Sequence, residues 1–204
     1  MERAAGVIGA TGRRTAASDR DVADDRAPGT HHSTGSRRHD GAQMTLPSAP
    51  FVLQVHHGGI TVSDMDASLR FYRDGLGLEV TLDAIRDAPY LHETLMVPFT
   101  ALRYVLLKVP GTDTGAIVEL LEYQGAETMP AAARPSDPGN GHLCLQVHDA
   151  VALHARLRDR GYRSRSPETV PITAGGNAGG RIVYVADPDG YWVELLERPR
   201  QATP

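Results

Sequence analysis

The sequence contains a single cysteine, Cys144, a single tryptophan and only three phenylalanines in 204 residues. One thiol excludes an intramolecular disulfide framework and any cysteine-rich zinc site, and it fits a reducing, cytoplasmic setting. No apolar run approaches the roughly 20 residues needed to cross a bilayer, so no membrane partner is expected. Excess positive charge is also missing: 21 Lys and Arg stand against 25 Asp and Glu, a formal net charge of -4. That balance gives no reason to expect a nucleic-acid partner. Neither a P-loop nor a nucleophile elbow occurs. What remains is 41 % apolar and 23 % charged, an ordinary composition for a globular chain.

The chain is uneven. Its first 44 residues hold seven arginines, six acids and six glycines, with almost no large apolar side chains. Such a segment buries too little surface to offset its ordering entropy, so residues 1–50 are expected to form a disordered extension. It lacks a signal-peptide pattern, Met44 is an alternative start, and His31 and His32 receive no role.

Beyond that segment the sequence repeats itself. Residues 57–77 read HGGITVSDMDASLRFYRDGLG and residues 142–161 read HLCLQVHDAVALHARLRDRG. Each opens with His, reaches Asp seven positions later (Asp64, Asp149) and ends in Gly. The pentapeptide VELLE then recurs at 118–122 and 193–197. The first copy predicts a strand over 53–62, a helix over 65–74 capped by Ser63 or Asp64 with Asp66 completing a capping box, and strands at 78–82, 101–109 and 116–123. Residues 83–98 are a short helix or a covering loop. The second predicts a strand at 142–147, a helix over 149–160 and strands near 162–166, 181–186 and 191–197. GGNAGG at 175–180 reads as a loop and DPDG at 187–190 as a tight turn. The expectation is an α+β fold of two βαβββ modules, 51–124 and 141–198, forming a curved mixed sheet with a cleft. Pro130, Pro135 and Pro138 mark 125–140 as the linker, and 199–204 is a tail.

Alternation along the strands puts His57, Gly59 and Thr61 on one face and Ile60 and Val62 on the other. By the same rule Glu119, His142, Cys144 and Glu194 fall on the face away from the packed helix. A carboxylate between apolar neighbours is costly to bury without charge compensation. One divalent cation shared by His57, Glu119, His142 and Glu194 satisfies all four groups. A lone strand histidine or glutamate is more often a hydrogen-bonded or solvated residue; the duplication is what favours ligands. His56 points to the opposite face, His148 and His154 are expected to be exposed, Cys144 is expected to be a small buried residue, and Glu122 and Glu197 are expected to meet solvent.

The motifs HHGGITVSDMDASLRFYRDGLGLEV, AIVELLEY, GHLCLQV and VADPDGYWVELLE resemble the vicinal-oxygen-chelate superfamily of glyoxalase I, methylmalonyl-CoA epimerase, extradiol dioxygenases and antibiotic-resistance proteins. The resemblance covers about 53–198. It implies His57, rather than His56, as first ligand, with Glu119, His142 and Glu194 completing a set most like that of glyoxalase I-type metalloenzymes. Thr61 departs from the pattern. Glyoxalase I enzymes with this strand carry there an arginine that helps bind the glutathione carboxylate, which argues against a glutathione hemithioacetal as substrate.

Four protein ligands on a six-coordinate ion leave two positions for neighbouring substrate oxygens. The expected activity is that of a lyase or isomerase of glyoxalase or epimerase type, acting on a small α-oxygenated substrate through a metal-stabilised enolate. Glu194, or alternatively Glu119, is the expected base. The ion is one of Fe, Mn, Co, Ni, Zn or Mg. A non-haem Fe(II) dioxygenase and a non-catalytic small-molecule-binding resistance protein are the alternatives. Family members of this size commonly form homodimers, some of which build each metal site across two chains.

Overall fold

The structure, a computed structural model, describes residues 51–112, 117–129, 134 and 136–200. The extension at 1–50, part of the 125–140 linker and the end of the 199–204 tail lie outside the described residues.

The first module runs β1 (His57–Thr61), α1 (Met65–Tyr72), β2 (Glu79–Arg86), α2 (Pro89–Leu95), β3 (Ala101–Lys108) and β4 (Ile117–Gln124). The second runs β5 (Leu143–Gln146), α3 (Ala150–Asp159), β6 (Val170–Pro171), β7 (Arg181–Ala186) and β8 (Trp192–Glu197). The second is βαβββ, the first is the same unit with α2 inserted between its second and third strands, and the fold is α+β as the sequence implies. The strands form two four-stranded mixed sheets in matching orders, β1-β4-β3-β2 and β5-β8-β7-β6. In each, the first strand lies parallel to the last and the remaining pairs are antiparallel. The expected sheet is thus present as two halves, one per module.

Helices α1 and α3 start by the same device. Asp64 accepts from Ala67 N at 2.9 Å and Asp149 from Ala152 N at 2.8 Å, both as N-caps. The last acid of each VELLE run supplies a second acceptor: Glu122 takes Met65 N at 3.3 Å and Glu197 takes Ala150 N at 2.9 Å. Glu122 and Glu197 therefore do not simply meet solvent. Their carboxylates satisfy the otherwise unpaired first N–H of α1 and α3, where the helix dipole favours negative charge. Asp66 makes no capping box; it pairs instead with Arg103 at 2.9 Å.

The second half of the chain departs from expectation at 162–166. That stretch contributes only the isolated bridge Ser164–Val185, and the short β6 follows at 170–171. Its sequence, YRSRSP, runs into Pro167, which cannot donate to a ladder. The ambiguous 83–98 resolves into a longer β2 and the seven-residue α2, whose first residue is Pro89.

The helix-side face of each sheet is buried: Ile60, Val62, Val118, Leu120, Val105 and Leu107 in the first module, Val183, Val185, Val193 and Leu195 in the second. These residues join one core with Met65, Leu69, Phe71 and Tyr72 of α1 and Leu157 of α3. The modules meet at the helices and at the DPDG turn. Phe71 packs edge-on against Tyr162 at 4.8 Å. Tyr72 Oη donates to Asp187 Oδ2 at 2.9 Å, and the Ser63 amide donates to Asp189 Oδ2 at 3.0 Å. The turn expected from sequence alone is therefore also a docking element, with Asp187 Oδ1 accepting from the amides of Asp189 and Tyr191.

Candidate metal centre

Burial on the helix side leaves the opposite sheet faces open, and the four expected ligands stand there in two pairs. His57 Nε2 lies 3.1 Å from Glu119 Oε2, and His142 Nε2 lies 3.0 Å from Glu194 Oε2. The pairs are built identically. Glu119 is opposite Gly59 in register and Glu194 is opposite Cys144, and in each case the histidine lies two residues before that partner. The histidine therefore reaches diagonally across parallel strands to the glutamate. The imidazoles are the open members, 38 % and 47 % exposed, and the carboxylates the covered ones, at 18 % and 12 %.

The donor set fits a divalent ion. Two ligands at about 2.0–2.2 Å and a right angle place their donor atoms about 3 Å apart, the separation found in both pairs. Neutral imidazole with carboxylate is the mixed N/O chemistry that transition-metal sites use. Among the described residues, however, no group of three or more His, Cys, Asp or Glu side chains is placed to hold one ion. Within one chain the four residues come together two by two.

The surroundings of the histidines were only partly legible. His56 does not turn away from His57: the two Nδ1 atoms lie 2.8 Å apart, with the rings edge-on at 5.0 Å. His56 lies before β1, so strand alternation does not govern it. Either ring can be the donor in this contact; with His57 Nδ1 as the donor, its Nε2 carries the lone pair that a metal ligand needs. His154 is buried at 2 % exposure rather than exposed, with Nε2 at 2.9 Å from Ser164 Oγ. His148 is exposed as expected. Cys144 is exposed on the open face of the edge strand β5, rather than buried as expected. Desolvation first, and then the Glu194 carboxylate, push its thiol up to about 11.

Tyr184 is the residue that sequence reasoning missed. It lies on β7 opposite Glu194, donates to Glu194 Oε2 at 2.6 Å, and stands edge-on to His142 at 5.3 Å. Burial and this hydrogen bond push its phenol up to about 12. The available signal was alternation along 181–186, which puts Tyr184 on the face opposite Val183 and Val185. His142 and Tyr184 border a cavity of about 980 Å³ that Thr61, Arg165 and Trp192 also line. That volume suits a small organic ligand. The Arg165 guanidinium rests 4.3 Å over the Trp192 ring.

Comparison with known proteins agrees with this fold. Residues 54–195 match the model of the Glyoxalase/Bleomycin resistance protein/Dioxygenase superfamily. A 2-epi-5-epi-valiolone epimerase from Actinomyces sp. is 34 % identical over 163 residues, covering 78 % of this chain and 87 % of that protein. The lactoylglutathione lyase of Salmonella typhimurium is 29 % identical over 147 residues, covering 71 % and 93 %. Among solved structures, a glyoxalase family protein from Bacillus cereus superposes with a TM-score of 0.64 at 16 % identity, over 76 % of this chain and all of that one.

Proposed function

The chain belongs to the Glyoxalase/Bleomycin resistance protein/Dioxygenase superfamily and is an enzyme of glyoxalase type, and from that premise we propose a divalent-metal-dependent epimerase or related isomerase that moves a proton at a carbon beside a carbonyl. The observation that carries the reading is the pair of His–Glu diagonals at 3.0 and 3.1 Å in equivalent register.

Two features favour an epimerase over a lactoylglutathione lyase. The epimerase relative has the higher identity, 34 % against 29 %. Thr61 also lines the cavity where the family resemblance places a carboxylate-binding arginine. A small ketone bearing a neighbouring oxygen is the proposed substrate.

His57, Glu119, His142 and Glu194 would hold the ion. When bound, a divalent ion supplies Lewis acidity to two neighbouring substrate oxygens and so lowers the cost of removing the proton between them. The chain supplies the rest. A glutamate of the set takes the proton from carbon, and a proton is then delivered to the opposite face for inversion or to the neighbouring carbon for isomerisation, work worth about 10²- to 10⁴-fold in rate. The cavity beside His142 orients the substrate, and Trp192 and Tyr184 give it apolar walls that limit water.

Because each chain offers two half-sites, the proposal includes a homodimer. His57 and Glu119 of one chain then face His142 of the partner subunit and Glu194 of the partner subunit. Two-fold symmetry produces two such sites from the same contact. In support, the open faces carry half-exposed apolar side chains, among them Leu82 at 37 %. Leu106 and Leu121 of the first module and Ile182 and Leu196 of the second are also only partly covered.

Metal analysis of protein purified without a chelating tag tests the reading. The parent is expected to hold about one divalent ion per chain, and His57→Ala to hold none. A parent that takes up no divalent ion under any loading condition would overturn it.

A further inference from the structure

The two half-sites match in backbone register but differ in what flanks each carboxylate. Glu119 stands between Gly59 on β1 and Leu106 on β3. Glu194 stands between Cys144 on β5 and Tyr184 on β7, at the same two positions. One carboxylate thus has a glycine and a leucine for neighbours, neither with a side-chain donor. The other has a thiol and a phenol, and the phenol is hydrogen-bonded to it at 2.6 Å.

The difference bears on mobility. Beside Gly59 there is room: a Cβ added there would first meet Leu121 Cδ1 at 3.6 Å and Glu119 Oε2 at 3.7 Å. Beyond its contact with His57, Glu119 can therefore change rotamer without losing a hydrogen bond from the side chains at Gly59 or Leu106. Glu194 cannot. Turning it away from His142 breaks a short, charge-assisted O–H···O bond, and its side chain is also the more covered of the two, 12 % exposed against 18 %. A carboxylate oxygen carries two lone pairs, so Glu194 Oε2 can accept from Tyr184 and still face the position in front of His142 Nε2.

We propose that Tyr184 is a positioning residue that locks Glu194 in the ligand set, and that Glu119, which has no such clamp among the described residues, is the carboxylate free to swing away and carry the proton. This reverses the choice of Glu194 favoured by the sequence. It rests on the metal site proposed above and assigns different duties to its two carboxylates.

Titration of the metal-free protein with Mn(II) alone tests the assignment without any substrate. Loss of a hydrogen-bond partner behind a metal ligand typically weakens metal binding by about 10- to 100-fold. Tyr184→Phe keeps the ring against His142 and is expected to weaken Mn(II) binding at least 10-fold, while the metal-free protein melts like the parent. Glu194→Gln is expected to cost more affinity than Glu119→Gln, because a fixed donor contributes more than a mobile one. The proposal is overturned if Tyr184→Phe lowers the melting temperature with Mn(II) affinity unchanged. It is equally overturned if Glu119→Gln costs as much affinity as Glu194→Gln. A parent that binds no ion overturns the metal site itself, and this assignment with it.

Discussion

His142 Nε2 and Glu194 Oε2 are 3.0 Å apart across two parallel strands, a spacing that the first module reproduces with His57 and Glu119 at 3.1 Å. That repetition links the duplicated sequence to the chemistry. A βαβββ unit buries the helix side of its sheet and leaves the other side open, so one module can present two ligands but not enclose an ion. The site depends on how modules are joined, and within the chain they are joined through the helices and the DPDG turn.

The joint itself can be weakened at a single atom. Tyr72 is fully buried, and its hydroxyl supplies the hydrogen bond to Asp187 Oδ2 at 2.9 Å. Tyr72→Phe leaves that buried carboxylate oxygen without its donor, at a cost of about 1–3 kcal/mol. Urea denaturation is expected to show a lower midpoint with an unchanged slope. Asp187→Asn in the same background is expected to recover part of the loss, since a neutral amide is less costly to leave unpaired.

Gly75 marks a second close approach between the modules. A Cβ added there would lie 2.5 Å from the Phe71 carbonyl oxygen and 3.0 Å from Leu157 Cδ2. The first of these atoms is backbone and cannot yield cheaply. Gly75→Ala is therefore expected to destabilise the protein by about 1–3 kcal/mol, measured by the same denaturation. Gly77, where an added Cβ meets nothing but φ is +84°, is expected to lose less on substitution by Asn, which tolerates that backbone.

His154 sets a pH-dependent part of the stability. Ser164 Oγ donates to Ser166 O at 2.9 Å, so it accepts from His154 Nε2, which fixes the neutral Nε2–H tautomer. Burial first, and then the charge of Arg158, hold its pKa below 6.5. The folded state thus resists a proton that the unfolded chain accepts near pH 6.5. The stabilisation is fully present above that pH and is lost as pH falls through 6.5 toward the folded value. His154→Gln keeps a donor for Ser164 and cannot titrate. The fall in denaturation midpoint between about pH 8 and about pH 5 is expected to be shallower in this variant than in the parent, and equal slopes would refute the assignment.

Much of this was readable in the sequence, for identifiable reasons. Strand alternation separated Glu119 and Glu194 from Val118 and Val193 because both VELLE strands lie inside their sheets, with one face packed. The same rule did not govern His56, which lies before a strand; it put Cys144 on the right face, but the face alone did not say that the thiol is exposed there. Asp64 and Asp149 were legible as caps because capping is local. Glu122 and Glu197 were not, because the amides that they accept lie 57 and 47 residues away in sequence. Tyr184 escaped notice for a related reason: its counterpart in the repeat is Leu106, so the duplication that exposed the proposed ligands hid the residue that makes the halves unequal.

The central claim is that four residues, two from each of two chains, hold one ion. Co-expression of His57→Ala with His142→Ala tests it most directly. Each variant alone is expected to hold no ion, since every site in its homodimer lacks a histidine. In a mixed dimer one site lacks both histidines and the other keeps all four ligands. Random pairing makes half of the dimers mixed, so the co-expressed pair is expected to regain about one quarter of the parent's metal content. Metal content that stays at the level of the single variants, or single variants that remain fully loaded, would contradict the account.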